Sequence, residues 1–277
     1  MKKHIFALTC AATLALAGCS GEDKPAEDSS AAAGEIVHLK VGASPVPHAD
    51  ILNYISENLA EDAGLELEVI EYSDYVLPNK NLDAGELDAN YFQHIPYLEA
   101  EEEANGYDFE HGPGVHIEPF GVYSNKIESL EDLADGAKVS VVNDPSNQAR
   151  ALWLLEKEGV ITLKEAENPT IYDIKDNPLN LQFLELEAPN LVRTLDDADI
   201  AIINGNFALE GGLVPSEDAI ATESGEDNPY ANVLAWNAGS DKEEAIKKLD
   251  DLLHSDEVAS FITEKYPNGE VIPAKAK

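Results

Sequence analysis

The chain has 277 residues, of which 54 are acidic and 18 basic, for a formal charge of −36 at neutral pH. An acid surplus of this size makes nucleic acid and anionic membrane surfaces poor partners for the folded body, since like charges repel; we read it as a solvated surface suited to a saline or alkaline exterior. Both cysteines, Cys10 and Cys19, lie near the N-terminus. The rest of the chain therefore has no disulfide and must be held by its core.

In chain order, residues 1–18 read as an export signal. Lys2 and Lys3 form a basic start, and Ile5 to Ala17 is an apolar run too short to span a bilayer as a stable helix. The stretch Leu16-Ala17-Gly18-Cys19 resembles the lipobox of bacterial lipoproteins, in which the cysteine becomes an acylated N-terminus. Cleavage before Cys19 would remove two lysines and take the formal charge from −36 to −38. A diacyl or triacyl anchor holds a protein at a bilayer surface without spanning it. Residues 19–34, dominated by Gly, Ser, Pro, Ala and acids, read as a flexible tether.

Order is expected from Ile36 to Val41, an alternating β-branched run. It leads into Gly42-Ala-Ser-Pro-Val-Pro-His48. Ile51, Leu52, Ile55 and Leu59 then fall at helical spacing, with Gly64 as a stop. Leu65 to Tyr72 reads as a strand, Lys80 to Leu87 as a helix, Asp88 to Phe92 as a strand, and Pro96 to Asn105 as a helix. This strand–helix alternation predicts an α/β unit with a mainly parallel sheet, whose ligands lie beyond the carboxyl ends of the strands. Asn90, Tyr91, Phe92 and His94 would stand at such an end, either as a grip on a small amphipathic ligand or as core packing.

Val115 to Ser124 reads as a crossover into a second α/β pattern. This comprises a helix over Ser129 to Ala134, a strand over Lys138 to Val142, a helix over Ser146 to Lys157, a strand over Leu181 to Leu186, a short helix over Pro189 to Leu195, and a strand over Asp199 to Ile203. At the end of its first strand, Asp144 can cap a helix that has Pro145 at its first position. Arg150 follows about one turn later, and a guanidinium there can clamp a carboxylate or pair with one of the many acids. Asn204 ends the next strand. Asn206 fits a helix cap as well as a ligand contact. Tyr230 to Trp236 reads as a returning strand, followed by helices over Asp241 to His254 and Ser255 to Glu264. Two crossings predict two lobes, 35–118 with 229–277 and 119–228, hinged about a cleft.

Five segments, Gly42–His48, Leu87–Tyr97, Asn143–Arg150, Ile203–Asn206 and Asn228–Val233, resemble in order the signatures of the NlpA family, the MetQ-type methionine-binding lipoproteins. The resemblance implies a type II periplasmic-binding-protein fold, two α/β lobes with a ligand cleft and two crossovers. It also implies a lipid anchor at Cys19 and delivery of methionine, or a related amino acid or short peptide, to an ABC transporter permease and its ATPase. Carried over, Tyr75, Phe92 and His94 line the side-chain pocket, Arg150 holds the α-carboxylate and Asn204 contacts the amino-acid backbone; Asn90, Tyr91, Asn147 and Asn206 are further contacts. Ser146, Ala149 and Phe207 depart from the pattern, which has Thr, Gly and Tyr there. The last change removes a hydroxyl near Asn206.

An enzyme would need a nucleophile elbow, a phosphate-cradling glycine loop or a metal motif, and none is spelled in the sequence; no cofactor is expected. A metal-binding lipoprotein would draw on His38, His48, His94, His111 and His116, with convergence of His48 and His94 the one pairing suggested. No metal site is expected.

Overall fold

The computed structural model describes residues 36–225 and 228–274. The export signal, the tether and Cys19 lie outside the described residues. In chain order the elements are β1 (Val37–Ala43), α1 (Asp50–Asn58), β2 (Leu65–Glu71), α2 (Val76–Asp83), β3 (Ala89–His94), α3 (Ile95–Asn105), β4 (Phe109–His111) and β5 (His116–Ile117). Next come β6 (Gly121–Tyr123), β7 (Lys138–Val142), α4 (Pro145–Lys157), β8 (Thr162–Leu163), β9 (Ile174–Asp176), β10 (Gln182–Leu186), β11 (Ile200–Ile203), α5 (Gly205–Glu210), α6 (Pro215–Asp218) and β12 (Ala219–Thr222). The chain ends with β13 (Asn232–Asn237), α7 (Glu243–Leu253), α8 (Asp256–Lys265) and β14 (Ile272–Pro273).

The strands form two main sheets. The first runs β14-β5-β13-β3-β1-β2, with β4 also on β13, and the second runs β10-β7-β11-β6-β12. In each, the central strands are parallel and joined through helices: β1 pairs with β2 and β3, and β7 with β10 and β11. The chain leaves the first sheet after Ile117, enters the second at Gly121, and returns between Thr222 and Asn232. Each sheet has its own core. Leu39, Val41, Ile51, Leu52, Ile55 and Leu249 anchor the first, and Val139, Val141, Leu152, Leu155, Ile200 and Ile202 the second. Among the described residues no helix is long and apolar enough to cross a membrane.

Local chemistry sets the element ends. Asp144 caps α4 by accepting the Asn147 backbone N–H at 2.9 Å, with Pro145 behind it. Helix α2 starts four residues before the expected Lys80, because the Asp74 carboxylate accepts the N–H groups of Val76 and Leu77, each at 2.8 Å. It stops short of Leu87 because Gly85 takes a left-handed φ of 72°. The helix expected over Ser129 to Ala134 shrinks to one 3-10 turn at Leu130–Asp132. That expected over Pro189 to Leu195 becomes two such turns, Ala188–Asn190 and Val192–Thr194. Segments this short cannot recover the cost of helix nucleation.

Candidate functional site

A cavity lies where β3, β7 and β11 end. One side is aromatic. Phe92 and His94 come from β3, Tyr97 from the first turn of α3, and Tyr75 from the turn before α2. The Tyr75 ring packs 5.8 Å from Phe92, 5.7 Å from Tyr97 and 5.0 Å from Phe207. Three successive residues, Phe92, Gln93 and His94, reach the cavity, which an unbroken strand would not permit because its side chains alternate faces. The pairing of β3 with β13 explains this. Val233 opposes Gln93 and Leu234 opposes Tyr91, so Phe92 is skipped and a bulge re-aims the strand end.

The bulge also decides the fate of two expected contacts. Asn90 and Tyr91 do not line the cavity. The Asn90 amide bonds Asn79 at 2.8 Å and the Pro78 carbonyl at 3.3 Å, in a buried amide network with Gln93. Tyr91 is fully buried in the first core, its hydroxyl on Nδ1 of His116. Both faces of β3 are buried, so position in the motif alone does not say which face meets a ligand.

The opposite side is polar. His94 Nδ1 accepts the Tyr97 backbone N–H at 3.1 Å, which leaves Nε2 to donate to Asn147 Oδ1 at 3.1 Å. Burial, then the Arg150 charge, push its pKa down to about 3, so the ring is neutral. Asn147 also takes a bond from Asn204 Nδ2 at 3.0 Å and donates to Asp144 at 3.0 Å. Burial raises the Asp144 carboxyl above its ordinary range despite these donors. Asn206 is no helix cap; its Oδ1 accepts the Tyr75 hydroxyl at 2.5 Å. Asn204 stands at the cap position of α5 but makes no capping bond. Two buried atoms of the cavity lining have no partner, the acceptor Asn204 Oδ1 and the donor Asn206 Nδ2, and nor has Asp144 Oδ2 behind them.

Arg150 lies inside rather than on the surface, and it does pair with an acid. Nε and Nη2 grip the Glu223 carboxylate at 2.8 and 2.6 Å, and Nη2 also donates to the Glu118 carbonyl at 3.0 Å. Its guanidinium stacks between Phe120 and Tyr230, 4.7 and 4.3 Å from the ring centres. Nη1 takes part in none of these bonds. Arg150 therefore reaches the cavity wall held in a fixed plane.

Sequence reasoning passed over five lining residues: Gln93, Tyr97, Glu118, Gly205 and Asn232. Four of them sit inside the motif segments, where neighbouring side chains were favoured instead. Glu118 carries no signal among 54 acids, yet it is buried. Gly205 lets it approach, since a Cβ at that position would meet Glu118 Cβ at 2.6 Å. Burial raises the Glu118 carboxyl above its ordinary range, an effect opposed by His48, Arg150 and the Asn206 backbone N–H. His116 Nε2 lies 2.7 Å and His48 Nε2 3.3 Å from Glu118 Oε1. Burial holds both rings neutral, His48 near pKa 4 and His116 near 3. His48 thus converges with His116, not with His94, while His38 and His111 are exposed.

The family model described as NlpA lipoprotein matches residues 39–275. A methionine-binding lipoprotein MetQ of Bacillus subtilis is 43% identical over 242 residues, covering 85% of this chain and 87% of the relative. A D-methionine-binding lipoprotein MetQ of Escherichia coli is 38% identical over 264 residues, covering 94% and 93%. Among solved structures, a lipoprotein of Actinomyces odontolyticus superposes with a TM-score of 0.85 at 51% identity, over 87% of this chain and 100% of that one. A nutrient-binding protein of Burkholderia cenocepacia bound to methionine does so with 0.82 at 43% identity, over 86% and 100%. The two α/β sheets meeting at a cavity, together with these matches along nearly the whole described chain, place the protein plainly: it belongs to the NlpA lipoprotein family.

Proposed function

We propose that this chain captures methionine, or an amino acid closely like it, outside the cytoplasm and hands it to an ABC importer, without catalysing a reaction. The observation that carries the reading is the pair of orphaned atoms in the polar wall, the acceptor Asn204 Oδ1 and the donor Asn206 Nδ2. A buried unpaired polar atom costs free energy. A zwitterion removes both costs, its ammonium donating to one and its carboxylate accepting from the other. Arg150 Nη1 adds charge for the carboxylate, and Glu118 lies ready for the ammonium. Tyr75, Phe92 and Tyr97 then enclose the side chain, and a thioether against aromatic edges contributes about 0.3–1.5 kcal/mol per contact. The names of the Bacillus and Burkholderia proteins support methionine in particular.

In the same reading, residues 35–118 with 229–277 form one lobe and 119–228 the other. They close on the ligand about the two crossings, and the closed form docks on the permease of a permease–ATPase complex. Acylated Cys19 tethers the domain to the membrane. A thermal-shift screen of the twenty amino acids on ligand-free protein tests the core of this. Methionine should raise the midpoint, with about 4 kcal/mol of stabilisation at a thousandfold excess over its dissociation constant. No shift with methionine defeats the reading. Mass spectrometry of membrane-extracted protein should find the acyl chains on Cys19, and Cys19→Ala should release the protein from the membrane.

A further inference from the structure

Behind the polar wall, the two crossings between the sheets meet on one guanidinium. Arg150 lines the cavity on one side and an outer groove on the other, where Trp153, Lys157 and Glu223 join it. Its Nη2 donates to the Glu118 carbonyl of the first crossing at 3.0 Å, and Nε and Nη2 grip the Glu223 carboxylate of the second at 2.8 and 2.6 Å. Glu223 is itself fixed. Its backbone N–H donates to the Phe120 carbonyl at 3.0 Å, and its Oε2 accepts the Phe120 backbone N–H at 3.2 Å and the Asn228 amide at 3.3 Å. The Glu223 side chain is only 13% exposed, yet it does not line the cavity. A carboxylate is thus built in directly behind the group that meets the ligand carboxylate.

We propose that Glu223 is a positioning residue that acts through Arg150 and makes the cavity select zwitterions over simple carboxylates, a role that rests on the amino-acid reading of the cavity. A buried guanidinium without a counter-ion would attract any small carboxylate that reached it. Glu223 pairs that charge in advance. An incoming carboxylate keeps its hydrogen bond to Arg150 Nη1, but it is repelled by the anion behind. Only a ligand that also carries an ammonium recovers the loss, because the same anion attracts its second charge.

The sizes of these effects set the selectivity. Carboxylates on neighbouring edges of one guanidinium stand about 7 Å apart, and at an effective dielectric of about 20 their repulsion corresponds to roughly fiftyfold in affinity. The α-ammonium of an amino acid, about 10 Å from the same anion, is attracted by roughly fifteenfold. A zwitterion therefore loses little, and a bare carboxylate loses nearly the whole amount. Glu223 also helps to orient Arg150, but that service is largely duplicated. The Phe120 and Tyr230 rings, 4.7 and 4.3 Å from the guanidinium, and the Glu118 carbonyl hold the same plane without it. Any loss of orientation would also weaken all carboxylates alike, so it cancels from a ratio of two affinities.

Calorimetry on the ligand-free full-length chain in detergent tests this with three probes: L-methionine, 4-(methylthio)butanoate, which lacks the ammonium, and L-methioninol, which lacks the carboxylate. In Glu223→Gln the preference for methionine over 4-(methylthio)butanoate should fall by about tenfold, and the preference for methionine over methioninol should rise by at least as much. A merely structural role would weaken all three together. Unshifted ratios in folded Glu223→Gln overturn the proposal, as does a shift of both in one direction. Should Glu223→Gln not fold, the wild type decides, and binding of 4-(methylthio)butanoate within tenfold of methionine overturns it. If the wild type binds no methionine, the amino-acid reading fails by itself and acetate tests the role of Glu223. At equal ionic strength, acetate should raise the thermal midpoint of Glu223→Gln more than that of the wild type, and equal shifts overturn the proposal.

Discussion

The two walls of the cavity differ in how far they satisfy themselves. Tyr75, Phe92 and Tyr97 pack ring against ring, with Phe207 behind Tyr75, and need nothing from a ligand. Across from them, Asn204 and Asn206 each keep one buried atom without a partner, and Arg150 is locked in place by groups that are not ligand. The difference separates two tasks. The aromatic wall sets the size and shape that fit, with an energy spread over many weak contacts. The polar wall sets what kind of molecule fits, through a few atoms whose cost stays unrelieved until a partner of the right charge pattern arrives.

The harshest way to break this division is Arg150→Ala. Glu223 then keeps a largely buried charge with no cation beside it, held only by the Phe120 backbone N–H at 3.2 Å and the Asn228 amide at 3.3 Å, and removing one member of a buried pair costs about 3–5 kcal/mol of folding stability; these donors and its residual exposure of 13% point to the lower end. Methionine affinity should collapse as well. The double variant Arg150→Ala/Glu223→Gln separates the two effects. Denaturant unfolding should recover most of the stability, while calorimetry should still find no binding. Recovery of both would mean that Arg150 serves the fold alone.

A milder break is Asn204→Ala. It removes an atom that the free protein leaves unsatisfied, and only one bond, to Asn147, goes with it. The loss should therefore fall on the complex, at about 1–3 kcal/mol, or 5- to 150-fold in affinity. A smaller change in the stability of the free protein goes with it. If the free protein instead loses as much as the complex, Asn204 belongs to the structural network and not to the ligand.

Which parts of this were visible in the sequence follows from what each part depends on. The parallel α/β arrangement was readable because β1 alternates apolar and polar residues while β7 and β11 are largely apolar runs bounded by turn residues, and neither pattern needs a distant partner. The Asp144 cap is a three-residue event and was equally local. Asn90 and Tyr91 misled because β3 is buried on both faces, and the bulge at Phe92 exists only in its pairing with β13, some 140 residues on. Glu223 was invisible for a related reason. In so acidic a chain, nothing local marks the one carboxylate that the fold turns inward to meet Arg150. The polar wall as a whole is tertiary, since its members meet across separations such as 53 residues for His94 and Asn147.

Between the walls stands His94, and acid should expose its state. Its folded pKa of about 3 lies below the ordinary 6.5. At intermediate pH the unfolded chain takes a proton that the folded chain refuses, so stability is lost as pH falls, at about 1.4 kcal/mol per pH unit. His48 and His116 act in the same sense. Glu118 and Asp144, whose pKa values burial raises, act in the opposite one. A comparison of slopes removes these shared contributions. Between pH 6 and 4, His94→Gln should flatten the stability curve by about 1.4 kcal/mol per pH unit relative to the wild type. Parallel curves would show that the ring is not held neutral.

The smallest effect should come from Tyr75→Phe, which severs one direct bond between the walls. The Tyr75 hydroxyl donates to Asn206 Oδ1 at 2.5 Å, and the ring keeps its packing on Phe92, Tyr97 and Phe207 without it. Losing the bond leaves Asn206 with neither end of its amide bonded, at a cost of about 1 kcal/mol to the fold. The consequence for binding differs in kind. A tethered amide presents Nδ2 to the cavity in one orientation, whereas a freed amide can turn and present oxygen to the ligand carboxylate. Affinity should fall by about fivefold through lost preorganisation, with the preference among amino-acid side chains unchanged because the aromatic wall is intact. Phe207 makes the test clean, since it brings no second hydroxyl to restore the tether. A changed order of side-chain preference in Tyr75→Phe would mean that the two walls do not divide their work as argued, and that the hydroxyl shapes the aromatic side as much as the polar one.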